Sequence, residues 1–65
     1  MRIKVNGIEK QINDGASVLT LLEESKLKPT SVAVELNRRL LRTERYAETL
    51  KEGDEVEIVT FVGGG

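Results

Sequence analysis

From Met1 to Asn6 apolar and polar residues alternate at period two, the pattern of a strand with one buried face. Asn6-Gly7 follows, and that pair favours a two-residue type I′ turn because both of its central positions need φ > 0. Alternation resumes from Ile8 to Asn13, with Ile8 and Ile12 on one face and Glu9 and Gln11 on the other, so the chain is expected to open with a β-hairpin. Asp14-Gly15 breaks the pattern. Ser17 then stands where an N-cap accepts a backbone N–H of the first helical turn. A helix is predicted from Val18 to about Lys26, with Val18, Leu21, Leu22 and Ser25 on one stripe, Leu19 at its margin, and Thr20, Glu23 and Glu24 toward water. Lys26 supplies positive charge near the helix C-terminus, and Pro29 disfavours helix at Lys28.

Val32, Val34 and Leu36 alternate with Ala33, Glu35 and Asn37, which predicts a third strand. Asn37-Arg38-Arg39 reads as a turn, Leu40-Leu41 as a short fourth strand, and Thr43 to Tyr46 as one helical turn capped by Thr43. Tyr46 is expected to plug the core between that turn and the sheet. After a turn at Lys51 to Asp54, the last strand runs from Glu55 to Val62 and departs from the others. Val56, Ile58 and Val62 point one way while Val59 and Phe61 point the other. Such a strand is either central in its sheet or carries an outer face that awaits a partner.

Composition narrows the function classes. The chain has 65 residues and no cysteine or histidine, so it is read as one small domain without a disulfide or thiolate metal site. Ordering costs about 1.5 kcal/mol per residue, which apolar burial at this size only just offsets. The longest apolar runs are two to three residues, too short for a membrane span or signal-peptide core, and a cytoplasmic location is expected. Ten basic and eleven acidic residues give a net charge of −1, which offers nucleic acid no general attraction. Tyr46 and Phe61 are the only aromatics, too few for a base-stacking platform. Without His or Cys there is no activated nucleophile and base pair. The carboxylate pairs Glu23-Glu24, Glu52 with Asp54, and Glu55 with Glu57 are read as solvated groups, and the last segment lacks the ligand spacing of a calcium loop. Arg38, Arg39, Arg42 and Arg45 form the densest charge cluster, either a solvated surface balanced by Glu44 and Glu48 or a contact for an acidic partner.

Gly63-Gly64-Gly65 is the one compositional break, and it is expected to be a flexible tail following a domain of residues 1–62. Glycines without Cβ atoms can thread a narrow channel and present a bare carboxylate to chemistry there. A carboxylate is a poor acyl donor until it is adenylated; a partner with ATP can do that at Gly65. The adenylate can then accept sulfur as a terminal thiocarboxylate without any thiol on the carrier itself. The bland reading of the same residues is a frayed or inert end.

Several segments together resemble a known family: Asn6-Gly7 after the first strand, Val34-Glu35-Leu36-Asn37-Arg38-Arg39-Leu40-Leu41, Glu44-Arg45-Tyr46, Leu50 through Ile58, and Phe61-Val62-Gly63-Gly64-Gly65. That family is the ubiquitin-like ThiS/MoaD sulfur carriers, in particular the ThiS branch of thiamine biosynthesis. The resemblance implies an α+β, β-grasp (ubiquitin-like) fold: a mixed sheet of about five strands packed on one main helix, with the first and last strands adjacent and parallel. It implies that Gly65 is adenylated by an ATP-dependent activating enzyme and becomes a thiocarboxylate with sulfur from a donor such as a cysteine desulfurase. The sulfur then goes to thiazole synthase. The chain itself would bind no cofactor and would be a co-substrate rather than an enzyme, monomeric when free. Within that reading Gly63 and Gly64 let the tail thread, Val59 and Phe61 are either a docking surface or part of a second core layer, and Arg38, Arg39 and Arg42 form a polar rim. The alternatives are the small subunit of molybdopterin synthase, which shares the chemistry, a protein modifier joined to lysines, and an interaction domain with an inert end.

Overall fold

The computed structural model describes residues 1–61. Strands β1 (Arg2–Val5) and β2 (Ile8–Gln11) pair antiparallel around Asn6-Gly7, whose φ angles of 51° and 82° are those the type I′ turn requires. Helix α1 (Val18–Glu24) starts at Ser17, whose hydroxyl accepts from the Thr20 N–H while the Thr20 hydroxyl accepts from the Ser17 N–H. A 3₁₀ turn at Pro29–Ser31 leads into β3 (Val32–Leu36), which folds back on β4 (Arg39–Leu41). A second 3₁₀ turn at Thr43–Arg45 and a loop bring the chain to β5 (Glu55–Thr60).

The five strands form one sheet in the order β2-β1-β5-β3-β4, with β1 parallel to β5 and the other pairs antiparallel. This is the β-grasp arrangement, and β5 is its central strand. Val18, Leu21 and Leu22 of α1 share one cluster with Ile3, Val34, Leu41 and Val56 of the sheet, closed at its margin by Ile12, Ala16, Tyr46 and Leu50. Ile3, Leu22, Val34 and Val56 are almost wholly removed from water, each contributing about 1.5–3 kcal/mol of burial. Tyr46 is buried as expected.

One local expectation holds without the burial its face suggests, and four need correction. Ile8 lies on the same side of the sheet as Val5, its register partner, but β2 is an edge strand and Ile8 stays 73% exposed; only Ile12, beyond the strand, reaches the core. Helix α1 stops at Glu24, so Ser25 is an exposed cap and not part of the apolar stripe. Lys26 there adopts φ 58°, its N–H donates to the Glu23 carbonyl, and the Leu27 N–H donates to the Leu22 carbonyl at 2.8 Å. That is the Schellman pattern, with lysine in the position glycine usually takes. Thr20 is half-buried because its hydroxyl completes the cap. At the second 3₁₀ turn the cap position belongs to Arg42, and Thr43 makes no capping bond. The turn between β3 and β4 is the pair Asn37-Arg38, at φ 52° and 70°, and Arg39 is already in the strand.

Candidate functional site

The sheet has one covered and one open face. Register assigns Val32, Val34 and Leu36 of β3, opposite Thr60, Ile58 and Val56 of β5, to the side of α1. Ala33 opposite Val59, and Glu35 opposite Glu57, therefore point to the open side, joined there by Leu40, the partner of Glu35 on β4. The Phe61 N–H donates to the Ser31 carbonyl at 2.9 Å and carries the same alternation one residue past β5. Among the described residues, three of the four large apolar side chains left exposed, Leu40 at 72%, Val59 at 58% and Phe61 at 62%, thus lie on this open face. Same-face neighbours along a strand are spaced about 7 Å and neighbouring strands about 5 Å, so Val59, Phe61 and Ala33 adjoin one another.

The other end of the same face is polar. Across it run Glu9, its partner Lys4, then Glu55, the partner of Lys4 on β5, and Arg38, whose Nε lies 4.0 Å from the Glu55 carboxylate. Between this charged row and the apolar end sit Glu35 and Glu57, directly opposed on the two strands and in no ion pair among the described residues. Like charges in such a position oppose pairing.

The structure separates the arginines that the sequence groups together. Arg38 and Arg42 belong to the open side with Leu40, whereas Arg39 is the partner of Leu36 and lies on the opposite side, away from Val59 and Phe61. Arg45 is held by Glu48 through two hydrogen bonds of 2.9 Å, Nε to Oε2 and Nη2 to Oε1. Those bonds hold the Glu48 carboxyl below the usual range and raise Arg45, although both groups are exposed. Leu40 carries little signal in the sequence, where it is one half of a two-residue strand. The one signal was the adjacent pair Leu40-Leu41, of which only one member can face the core. Val62 and the glycines Gly63, Gly64 and Gly65 lie outside the described residues. Among the described residues no group of His, Cys, Asp and Glu side chains is placed to hold a metal ion, and no helix is long and apolar enough to cross a membrane.

A β-grasp with apolar residues on its open face, leading from a central last strand toward a glycine-rich end, invites comparison with known proteins. The profile of the ThiS family matches residues 3–65, nearly the whole chain. The chain belongs to the ThiS family. The sulfur carrier protein ThiS of Bacillus subtilis is 38% identical over 65 residues, covering 97% of this chain and 98% of the relative. A crystal structure of a thiamine biosynthesis protein (ThiS) from Geobacter metallireducens superimposes with a TM-score of 0.75 at 40% identity, over the full length of both chains. The thiazole synthase of Paramagnetospirillum magneticum is 36% identical over 66 residues, which take in all of this chain but only 20% of that protein. This chain therefore spans about a fifth of the length of that relative. A ubiquitin-like protein from Caldiarchaeum subterraneum, at 22% identity and a TM-score of 0.56, shares the ThiS fold alone.

Proposed function

We propose that this chain is a sulfur carrier protein of thiamine biosynthesis and that it carries the sulfur on the carboxylate of Gly65. A carboxylate oxygen attacks the α-phosphorus of ATP in an adenylating partner enzyme and pyrophosphate leaves; the outer sulfur of a donor persulfide then displaces AMP to give an acyl disulfide, and a partner thiol cleaves that bond, releasing the thiocarboxylate and forming a disulfide with the donor sulfur. The family match running through Gly65 is the observation that carries this reading. The chain is thereby a co-substrate of its partners and not an enzyme, with ATP used by the adenylating enzyme and sulfur entering from a donor such as a cysteine desulfurase. Thiazole synthase is the acceptor. A thiazole synthase that includes a stretch similar to this whole chain supports that pairing, because a carrier and its acceptor joined in one polypeptide need to meet.

The docking surface in this reading is the apolar end of the open face, Val59 and Phe61 beside Ala33, with Leu40 at its edge next to Glu35 and Arg42 at its rim, while Arg38 stands at the charged end with Glu55. Arg39 has no part in it. Exposed apolar side chains gathered at one end of a sheet face add nothing to the fold and gain only when a partner covers them. The channel beyond is threaded by Gly63 and Gly64.

Removing Gly64 and Gly65, or replacing Gly65 with Ala, tests the assignment. Sulfur transfer to the thiazole should be lost while the thermal midpoint stays within about 2 °C, because the change alters no residue of the described buried cluster. Retained transfer would overturn Gly65 as the carrier, and a midpoint lowered by many degrees would place the tail in the folded structure.

A further inference from the structure

On its β1 side, β5 is paired by strand over only two positions, Glu55 with Lys4 and Val56 with Val5, because β1 then turns away at Asn6-Gly7. The ladder does not end there. The Asn6 backbone N–H donates to the Val56 carbonyl at 2.8 Å, and the Asn6 side chain takes over at the next position. The Ile58 N–H donates to Asn6 Oδ1 at 2.7 Å, and Asn6 Nδ2 donates to the Ile58 carbonyl at 3.3 Å. One carboxamide thus supplies the acceptor and donor that a strand residue would, across 52 positions of sequence. Asn37 holds the opposite side of β5 nearer its start, accepting from the Glu55 N–H at 3.0 Å while its own backbone N–H donates to the Glu55 carbonyl.

We propose that Asn6 is a positioning residue for carrier recognition: its side chain fixes β5 at Ile58, and so sets the placement of Val59 and Phe61 for the adenylating enzyme. The proposal rests on the docking surface described above. Val59 follows the clamped residue directly, and Phe61 is held on its other flank through Ser31. With the clamp absent, the two docking residues hang on β3 alone from Ile58 onward, and the partner must order the strand as it binds. The site also accounts for asparagine at this turn. Glycine satisfies φ 51° at least as well as asparagine, and only asparagine adds the two bonds to Ile58.

Asn6→Gly is the informative variant, since it keeps the turn and removes the clamp. Asn6→Asp keeps an acceptor for the Ile58 N–H and loses the donor. The experiment uses the full chain, with amide exchange followed by NMR and carrier-dependent ATP–pyrophosphate exchange catalysed by the adenylating enzyme. In Asn6→Gly the Ile58 amide should exchange about tenfold faster, and KM for the carrier should rise about three- to tenfold with kcat within about twofold, the worth of lost pre-organisation rather than lost chemistry. Asn6→Asp should fall between the two chains. Faster exchange at Ile58 with an unchanged KM would make Asn6 a turn residue only, and unchanged exchange would show that the clamp holds nothing; either overturns the proposal. A wild-type chain that supports no pyrophosphate exchange would overturn the adenylation reading first and this proposal with it.

Discussion

The two faces of the sheet use the same residue types to opposite ends. On the covered face Ile3, Val34 and Val56 are almost wholly buried against α1, while on the open face Leu40, Val59 and Phe61 are each more than half exposed. Strand β5 belongs to both, since Val56 closes the core and Val59, three positions on, lies in water. The covered face accounts for the fold. The open face costs solubility and returns nothing until it is covered, which is why it is the face proposed to dock a partner. Glu35 and Glu57 sharpen the contrast. Two carboxylates opposed on central strands weaken the free protein, and they stand beside the apolar end, where a second copy of the same face would bring two more.

The largest expected effect separates the faces most plainly. Leu22→Ala should lower unfolding free energy in urea by about 3 kcal/mol by opening a cavity under the sheet, whereas Phe61→Asp should change it by less than about 0.5 kcal/mol. The same Phe61→Asp chain should bind the adenylating enzyme at least about tenfold more weakly in titration calorimetry. Equal losses of stability in the two variants would mean that Phe61 is core and that the comparison fails. An intermediate effect belongs to the edge of the covered side: Ser17→Ala removes the hydroxyl that caps α1 and should cost about 1 kcal/mol, read as a shift in the urea midpoint at constant slope. The smallest lies on the open face. Glu57→Gln ends the like-charge opposition with Glu35 and should raise stability by a few tenths of a kcal/mol, a gain that shrinks as salt is added. A loss of stability in that variant would show that the carboxylates are not in conflict.

Much of this arrangement is legible in the sequence, for identifiable reasons. Asn6-Gly7 announces its turn because few residues tolerate positive φ, and the alternation from Val32 to Leu36 gives β3 its faces directly. The double-sided apolar pattern of the last strand marks β5 as central and brings out Val59 and Phe61. Other features leave no local trace. The end of α1 is obscured because Lys26 occupies the left-handed position where glycine would have signalled a stop. Ile8 obeys its period and is still exposed, since periodicity assigns a side of the sheet and says nothing of whether the helix reaches that far. Arg39 joins Arg38 and Arg42 in sequence and parts from them in space because neighbouring strand residues point to opposite faces. The second task of Asn6 is invisible for a different reason: its partner is a backbone group 52 residues away.

The carrier role turns on whether sulfur resides on Gly65. The decisive measurement is the mass of the C-terminal fragment of the chain after incubation with its adenylating enzyme, ATP and a sulfur donor, and then with a thiol-alkylating reagent. Fragmentation is needed because exchanging one oxygen for sulfur adds nearly the same mass as oxidising Met1 to its sulfoxide. An alkylated thiocarboxylate should be confined to the fragment that contains Gly65 and should depend on ATP, as carriage on that residue requires. A C-terminal fragment left unmodified while the same enzymes charge another ThiS family member would contradict it.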